Sequence, residues 1–225
     1  MTSHPQIAIL GGTGKEGSGL ALRWARAGFP ILIGSRDPER ARHTAERLRA
    51  IVPGGELIGL SNAEAAAQGE VVVVTVPYEG HAPILQGLRD LLAHKLIIDV
   101  VVPLDPQNPR RYVPPPDGSA TAEAQRILGP KTPVVGAFHH ISHLHLHNLE
   151  ETPECDVLVV GDHREAKARV IALAEAIGFT AYDAGPLANA PAVEGLTAVL
   201  IGLNIRYKAH GTGIRITGIS SKKQS

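Results

Sequence analysis

The chain has 225 residues, 44% of them hydrophobic and 20% charged. That composition excludes intrinsic disorder and allows one sizeable domain, or a nucleotide-binding domain with a small annex. Lysine plus arginine and aspartate plus glutamate both number 22, so net charge offers no electrostatic case for nucleic acid or a membrane surface as partner.

The first predicted strand, Ile7–Leu10, runs directly into Gly11-Gly12-Thr13-Gly14-Lys15-Glu16-Gly17, and a helix is expected over Glu16–Ala27, ended by Gly28. Gly12, Gly14 and Gly17 form a G-x-G-x-x-G turn between strand and helix. Such glycines permit a tight turn, close approach of a pyrophosphate, and packing of helix on strand. The helix start adds free N–H groups and a partial positive charge for phosphates. A dinucleotide site is the reading that follows. A second strand, Ile31–Ile33, leads to Gly34-Ser35-Arg36-Asp37-Pro38-Glu39-Arg40, with Asp37 placed to cap a helix over Pro38–Val52. No carboxylate stands at the strand tip. Ser35, Arg36 and Arg40, with Thr13 in the glycine turn, favour a 2′-phosphate and hence NADP(H). If the arginines are only solvated helix-end charges, Asp37 becomes the ribose ligand of an NAD site.

Strands at Leu57–Leu60, Val71–Val76 and Leu96–Val100 alternate with helices at Ala63–Gln68 and Ala82–Ala93. Short, almost wholly apolar strands separated by helices describe a parallel sheet covered on both faces. A proline-rich loop, Pro103–Gly118, precedes a helix at Ala120–Leu128 and a sixth strand at Pro133–Ala137. A second unit follows, with strand Asp156–Val160, helix Arg164–Ile177, strand Thr180–Asp183, an apolar helix Ala192–Tyr207, a strand-like tail Gly213–Thr217 and a polar end, Ser220–Ser225. The expected architecture is a Rossmann-like doubly wound parallel sheet with a small C-terminal α/β annex, divided as residues 1–150 and 151–225. The apolar helix either fills the annex core or forms a homodimer interface. The single cysteine, Cys155, excludes an internal disulfide and reads as a small buried hydrophobe. The polar start, Met1-Thr2-Ser3-His4-Pro5, is too short and polar for a signal peptide, and no apolar run nears the ~20 residues that cross a bilayer. A cytoplasmic setting with no membrane partner is expected.

In a doubly wound sheet the chemistry sits beyond the carboxyl ends of the strands. The candidates there are Thr75-Val76-Pro77-Tyr78, Val101-Val102-Pro103-Leu104 and Phe138-His139-His140-Ile141. No acid–base pair of a hydroxy-acid or sugar dehydrogenase is evident, as would suit an acceptor that is itself a redox cofactor. His139 is either a hydrogen-bond donor to an acceptor carbonyl or a packed core histidine. His81 and Tyr78 either flank the nicotinamide wall or only start a helix. The run His139, His140, His143, His145 and His147 suggests a metal site, but zinc sites usually recruit cysteines and Cys155 is remote. In a strand, His143, His145 and His147 would share one exposed polar face. That reading, with no metal, is preferred.

Several segments together resemble the NADPH-dependent coenzyme F420 reductases: Ala8–Gly14, Ile33-Gly34-Ser35-Arg36, Val74–Tyr78, Asp183–Leu187, Val193–Thr197 and Gly213–Ile216. The similarity extends from about Ile7 to Ile216. It implies hydride exchange between the nicotinamide of NADP(H) and the 5-deazaflavin of coenzyme F420. By position it implies that Thr13, Ser35, Arg36 and Arg40 hold the 2′-phosphate. Val102, Pro103, Leu104, His139, Ile141 and Thr197 would surround the deazaflavin, and the short C-terminal strand would close the pocket. Val76 joins Val102, Leu104 and Ile141 as the apolar wall against which two flat rings stack. Gly195 and Pro191 depart from relatives that carry serine and arginine there. Two other readings stay open: an NADPH-dependent reductase of a flavin, ferric iron or a small carbonyl compound, and a non-catalytic NADP-binding sensor.

Overall fold

The structure, a computed structural model, describes residues 4–219. Met1–Ser3 of the polar start and the polar end Ser220–Ser225 lie outside the described residues. In chain order the elements are β1 (Ile7–Leu10), α1 (Lys15–Arg26), β2 (Ile31–Ser35), α2 (Pro38–Ile51), β3 (Leu57–Ser61), α3 (Asn62–Gln68), β4 (Val71–Val74), α4 (His81–Gly87), α5 (Arg89–Leu92) and β5 (Leu96–Asp99). They continue with α6 (Ala120–Leu128), β6 (Val134–Gly136), α7 (His143–His147), β7 (Asp156–Val159), α8 (Arg164–Glu175), β8 (Thr180–Asp183) and α9 (Ala190–Tyr207).

Six strands form one parallel sheet in the order β3-β2-β1-β4-β5-β6, and β7 pairs with β8 in a second, two-stranded sheet. The chain reverses its direction of travel between β1 and β4, so a crevice opens where their carboxyl ends part. Every residue of β1, β2, β4 and β5 is buried, because helices cover both faces. Ile7 and Ile9 pack with α1, α2 and α8, whereas Ala8 and Leu10 pack with α3, α4, α5 and α6. Full burial of each such aliphatic side chain contributes about 1.5–3 kcal/mol.

The helix starts follow from local chemistry. Asp37 accepts from the N–H groups of Glu39 and Arg40 at 3.0 and 3.3 Å, with Pro38 in the first turn of α2. Ser61 and Glu64 form a capping box on α3, and Ser119 caps α6. The helix expected over Ala82–Ala93 is instead two, α4 and α5, parted where Gly87 is followed by Leu88 at φ −110°, ψ 9°.

The second sheet is joined to the first through shared core. Val157, Val159, Val170, Leu173 and Phe179 lie in one cluster with Ile7, Ile9 and Trp24. Trp24 Nε1 donates to the Leu173 carbonyl at 3.0 Å, and Gly136 and Val160 exchange two backbone hydrogen bonds at 2.9 Å. The expected tail strand is not a ladder strand. The Asp156 N–H donates to the Ile214 carbonyl at 2.8 Å, but the next partner, Ile216 N–H, is taken by the Asp156 carboxylate at 2.6 Å. A side chain has replaced the backbone pairing that would extend the strand.

Two other expectations are corrected. His143–His147 is helix α7 rather than a strand, started by Ser142, whose hydroxyl accepts from the Leu144 N–H. The imidazoles therefore do not share a strand face. Leu187–Tyr207 has the length and mean hydropathy of a membrane-crossing helix, 21 residues at 1.2. Unbroken apolar runs missed it because Glu194 and Asn204 interrupt the sequence pattern. In the fold Glu194 is fully buried within protein hydrogen bonds.

Candidate active site

A cavity of about 1260 Å³ lies along the carboxyl ends of β1, β2, β4, β5 and β6, with α9 and residues 209–212 as its far wall. That volume exceeds the ~300–1,000 Å³ typical of pockets for one small ligand.

The glycine turn forms its floor. The tight turn falls on Gly11 at φ +75°, one residue before the motif's first glycine. A Cβ on Gly17 would stand 2.5 Å from Thr75 Oγ1 and 2.8 Å from Gly12 Cα, so only glycine lets α1 approach β4 so closely. Gly14 caps α1 with no side-chain acceptor, leaving the first N–H groups of the helix for a ligand. Gly11, Thr13 and Gly14 line the cavity, whereas Gly12 and Gly17 act from behind it.

At one end stand Ser35, Arg36 and Arg40. The Ser35 hydroxyl accepts from the Asp37 N–H at 3.2 Å, which aims the strand tip. Arg36 and Arg40 are exposed, and among the described residues neither guanidinium is recorded in an ion pair or side-chain hydrogen bond. Asp37 is committed to its cap. Asn62, which sequence reasoning missed, accepts from the Gly11 N–H at 3.2 Å and so ties the end of β3 to the glycine turn. Its position just past a strand's carboxyl end was the available signal.

At the other end Val76 and Val102 face Ile141 and Thr197 across the cavity lining, together with Val100, Val101, Leu200 and Ile201. Pro103 and Leu104 do not line it. Their backbone turns away, with the Pro103 carbonyl accepting from Val113 and Leu104 bridged to Tyr112. The tail does not close the pocket either; Ala209–Thr212, just before it, provide that wall. Phe138 carries the bend after β6 at φ +63°, a left-handed conformation that costs a bulky residue on the order of 1 kcal/mol or more. The bend delivers His139–Ile141 to the cavity. Thr197 donates to the His139 carbonyl at 2.8 Å and so pins α9 to this bend. The His139 ring packs over Gly136, with Nε2 3.4 Å from Thr121 Oγ1 and Nδ1 without a hydrogen-bond partner among the described residues. Burial lowers its pKa to about 4, so the ring is neutral near pH ~7.

Of the other histidines of the run, His143 lines the cavity and the remaining three bond the backbone. Nε2 of His140 bonds the Asp156 carbonyl at 2.9 Å, that of His145 the Gly211 carbonyl at 2.6 Å, and that of His147 the Lys15 carbonyl at 2.9 Å. Arg23 beneath them donates to the carbonyls of His145, Asn148 and Ile177. Cys155 is buried, and burial raises its thiol pKa to about 11, which makes it unreactive.

Behind the far wall lies a buried polar network that sequence reasoning did not assemble. His81 is fully buried, with Nε2 2.9 Å from Asp99 Oδ2 and Nδ1 2.9 Å from Glu123 Oε2. Burial alone would lower its pKa, but the Asp99 and Glu123 carboxylates outweigh that and raise it to about 9. Asp99 also accepts from the Val101 N–H at 3.1 Å, fixing the loop that presents Val100–Val102. Glu194 of α9 accepts from Ala120 N–H, Thr121 N–H, Thr121 Oγ1 and the Tyr112 hydroxyl at 2.9–3.0 Å. Burial raises its pKa to about 7, against the opposing pull of the N–H donors. Tyr78 thus belongs to the brace as well as to the wall, since it lines the cavity and its hydroxyl lies 3.4 Å from Glu123, whereas fully buried His81 belongs to the brace alone.

Residues 6–103 match the family described as NADP oxidoreductase, coenzyme F420-dependent. The F420-dependent NADP reductase of Methanocaldococcus jannaschii is 42% identical, over 95% of this chain and 99% of that protein. The chain belongs to the F420-dependent NADP reductase family. The F420-dependent NADP reductase of Methanothermobacter thermautotrophicus is 40% identical over 97% of each chain. A crystal structure from Arthrobacter sp. FB24, described as a candidate F420-dependent NADP reductase, superposes with a TM-score of 0.80 at 25% identity, covering 94% of this chain and 99% of that one. The family's fold, a parallel Rossmann-like sheet, is the fold found here.

Proposed function

We propose that this chain transfers a hydride between NADP(H) and the deazaflavin of coenzyme F420, both held in the one cavity. The observation that carries this reading is the cavity's continuity. It runs from Ser35, Arg36 and Arg40, past the glycine turn, to the apolar wall of Val76, Val102 and Ile141. Bound nicotinamide and deazaflavin supply the redox chemistry, which belongs to the cofactors. The chain's own residues bind, orient and exclude water.

In this reading Arg36 and Arg40 hold the 2′-phosphate, with Ser35 and Thr13 as hydroxyl donors. The start of α1, freed by Gly14, receives the pyrophosphate. Val76, Val102, Ile141 and Thr197 hold the two rings face to face. His139 offers its unpartnered Nδ1 as the hydrogen-bonding atom for an acceptor carbonyl. Holding two reactants in register can supply a large share of the ~7–11 kcal/mol available from orientation alone. No acid–base pair is needed for hydride to pass between stacked rings.

We also propose that residues 151–225 act as an annex that closes the deazaflavin end, because α9 lines it. A homodimer through α9 is supported by the exposure of Val199, Leu203, Ile205 and Tyr207 on that helix. A cytoplasmic setting is supported by a lone, buried thiol.

Mixing the protein with NADPH and F420 tests the central reading. Joint loss of the near-ultraviolet nicotinamide band and the visible deazaflavin band is expected. Turnover with a flavin or ferric chelate but not F420 would overturn the acceptor. Tight NADP binding with no transfer to any acceptor would make the chain a sensor.

A further inference from the structure

On the reading that the cavity holds NADP(H), we infer that Glu16 sits in it as an uncharged carboxylic acid that donates a hydrogen bond to the dinucleotide, so that binding is coupled to the holding of one proton. Glu16 lies between the last two glycines of the turn, in the first turn of α1, and its side chain lines the cavity. Its Oε1 is cut off from solvent and has no hydrogen-bond partner among the described residues. Gly17 next to it has no room for a Cβ against Thr75 and Gly12, so the start of α1 sits close against the end of β4. A carboxylate with one oxygen shut away from both water and partners is costly to keep charged, and the inexpensive response is to keep its proton. Burial alone raises the Glu16 pKa to about 8.

The charged and titratable groups of the surrounding elements do not compensate it. These are Lys15 on α1, Asp37 and Arg40 at the start of α2, and His143 and His147 on α7. Tyr78 and Glu79 follow β4, and His139 and His140 follow β6. None of them is recorded in a hydrogen bond or ion pair with Glu16, and His147 is already bonded to the Lys15 carbonyl. The dinucleotide brings its diphosphate to this same helix start. An ionised Glu16 would repel that charge, whereas the acid offers an O–H donor. The ligand therefore selects the protonated form and raises its pKa further.

The sign follows from linkage. Below about pH 8 the free protein already carries the proton and affinity is constant; above it, Kd for NADP+ rises up to about tenfold per pH unit until the pKa of the complex is reached. Titration calorimetry of the full chain with NADP+, in buffers of different ionisation enthalpy, counts the proton. Uptake near zero at about pH 7 and approaching one proton at about pH 9 is expected for the wild type. Glu16→Gln keeps a neutral donor, so it should bind about as tightly as wild type at the lower pH, with Kd flat across the range. His81 titrates in the same window but is present in both proteins, so their difference isolates Glu16. Glu16→Leu, neutral but without a donor, should also be flat and about five- to tenfold weaker than Glu16→Gln. Equal proton uptake in wild type and Glu16→Gln, or none in the wild type, would overturn the inference. If Glu16→Gln does not fold, the difference in proton uptake between wild type and Glu16→Leu decides. Absence of NADP+ binding at every pH would overturn the cofactor reading and the inference with it; binding without proton uptake would overturn the inference alone.

Discussion

At the end of the cavity that carries Ser35, Arg36 and Arg40, the groups offered to a ligand are exposed cations, free backbone N–H groups and the hydroxyls of Thr13 and Ser35, all within a stretch of 28 residues. At the opposite end the surface is apolar, and its shape is held from behind by buried ions drawn from distant parts of the chain. Asp99 lies 18 residues from His81, and Glu194 lies 74 from Ala120. The first end is local chemistry presented to solvent. The second is a packed scaffold whose polar atoms face inward, so changes there should reach binding through stability and shape.

The largest expected effect lies in that scaffold. Glu194→Leu would strand the N–H groups of Ala120 and Thr121 in a dry site, while the Tyr112 hydroxyl keeps the Gly118 carbonyl. Each orphaned buried donor costs about 1–3 kcal/mol, so a loss of roughly 3–5 kcal/mol in urea unfolding is expected. A loss under about 1 kcal/mol would show that α9 is not braced through Glu194.

His81 gives the next effect, as a dependence on pH. Its folded-state pKa of about 9 stands above the ordinary value of 6.5, so its contribution is complete below about pH 6.5 and disappears as pH rises through about 9. The shift corresponds to on the order of 3 kcal/mol for this fully buried group. Glu194 and Glu16, whose folded-state pKa values are also raised, act with the same sign over lower windows, Glu194 up to about 7 and Glu16 up to about 8. Buried His139 and His140 have the opposite sign, because their lowered values favour folding as pH rises toward the ordinary histidine range. Urea unfolding followed from about pH 7 to 9 should therefore show steadily falling stability. A flat profile would mean that the carboxylates do not hold His81 charged.

The same contrast explains what could be read from sequence. The glycine turn, the Asp37 cap and the Ser35–Arg36 tip were legible because each is a short segment whose residues act together where they stand. The strands were legible because burial on both faces leaves unbroken Ile and Val runs. The brace was not, since His81, Asp99, Glu123 and Glu194 meet only through tertiary packing and none has a sequence signature alone. The histidine run misled for a related reason. A period of two between His143, His145 and His147 suits a strand, but the hydroxyl of Ser142 starts a helix and the imidazoles of His145 and His147 find backbone carbonyls instead.

At the exposed end the effect should fall on ligand affinity and spare the fold. Arg36→Ala is expected to weaken NADP+ binding by about 1.5–3 kcal/mol, the range for a hydrogen bond to a charged group, while NAD+ binding changes little. Thermal stability should stay within about 0.5 kcal/mol of wild type, as for an exposed residue without partners. Equal weakening of both dinucleotides would remove Arg36 from the 2′-phosphate site.

His139 sits where the two regions meet, and its expected effect is the smallest. The ring is buried like a scaffold group, yet Nδ1 has no hydrogen-bond partner among the described residues, as a ligand-binding atom would not. His139→Ala removes that atom and leaves the Thr197 bond to the backbone carbonyl in place. One neutral hydrogen bond is worth about 0.5–1.5 kcal/mol, so hydride transfer to the deazaflavin should slow by roughly two- to tenfold in single-turnover measurements, with Kd for NADP+ unchanged. Truncating a buried ring also costs stability, but a purely structural loss appears in unfolding and leaves the transfer rate of the folded fraction intact. His139→Gln separates the two roles, because its amide can still donate a hydrogen bond. If it restores the rate, His139 acts on the ligand; if it restores only the stability, the histidine belongs to the scaffold.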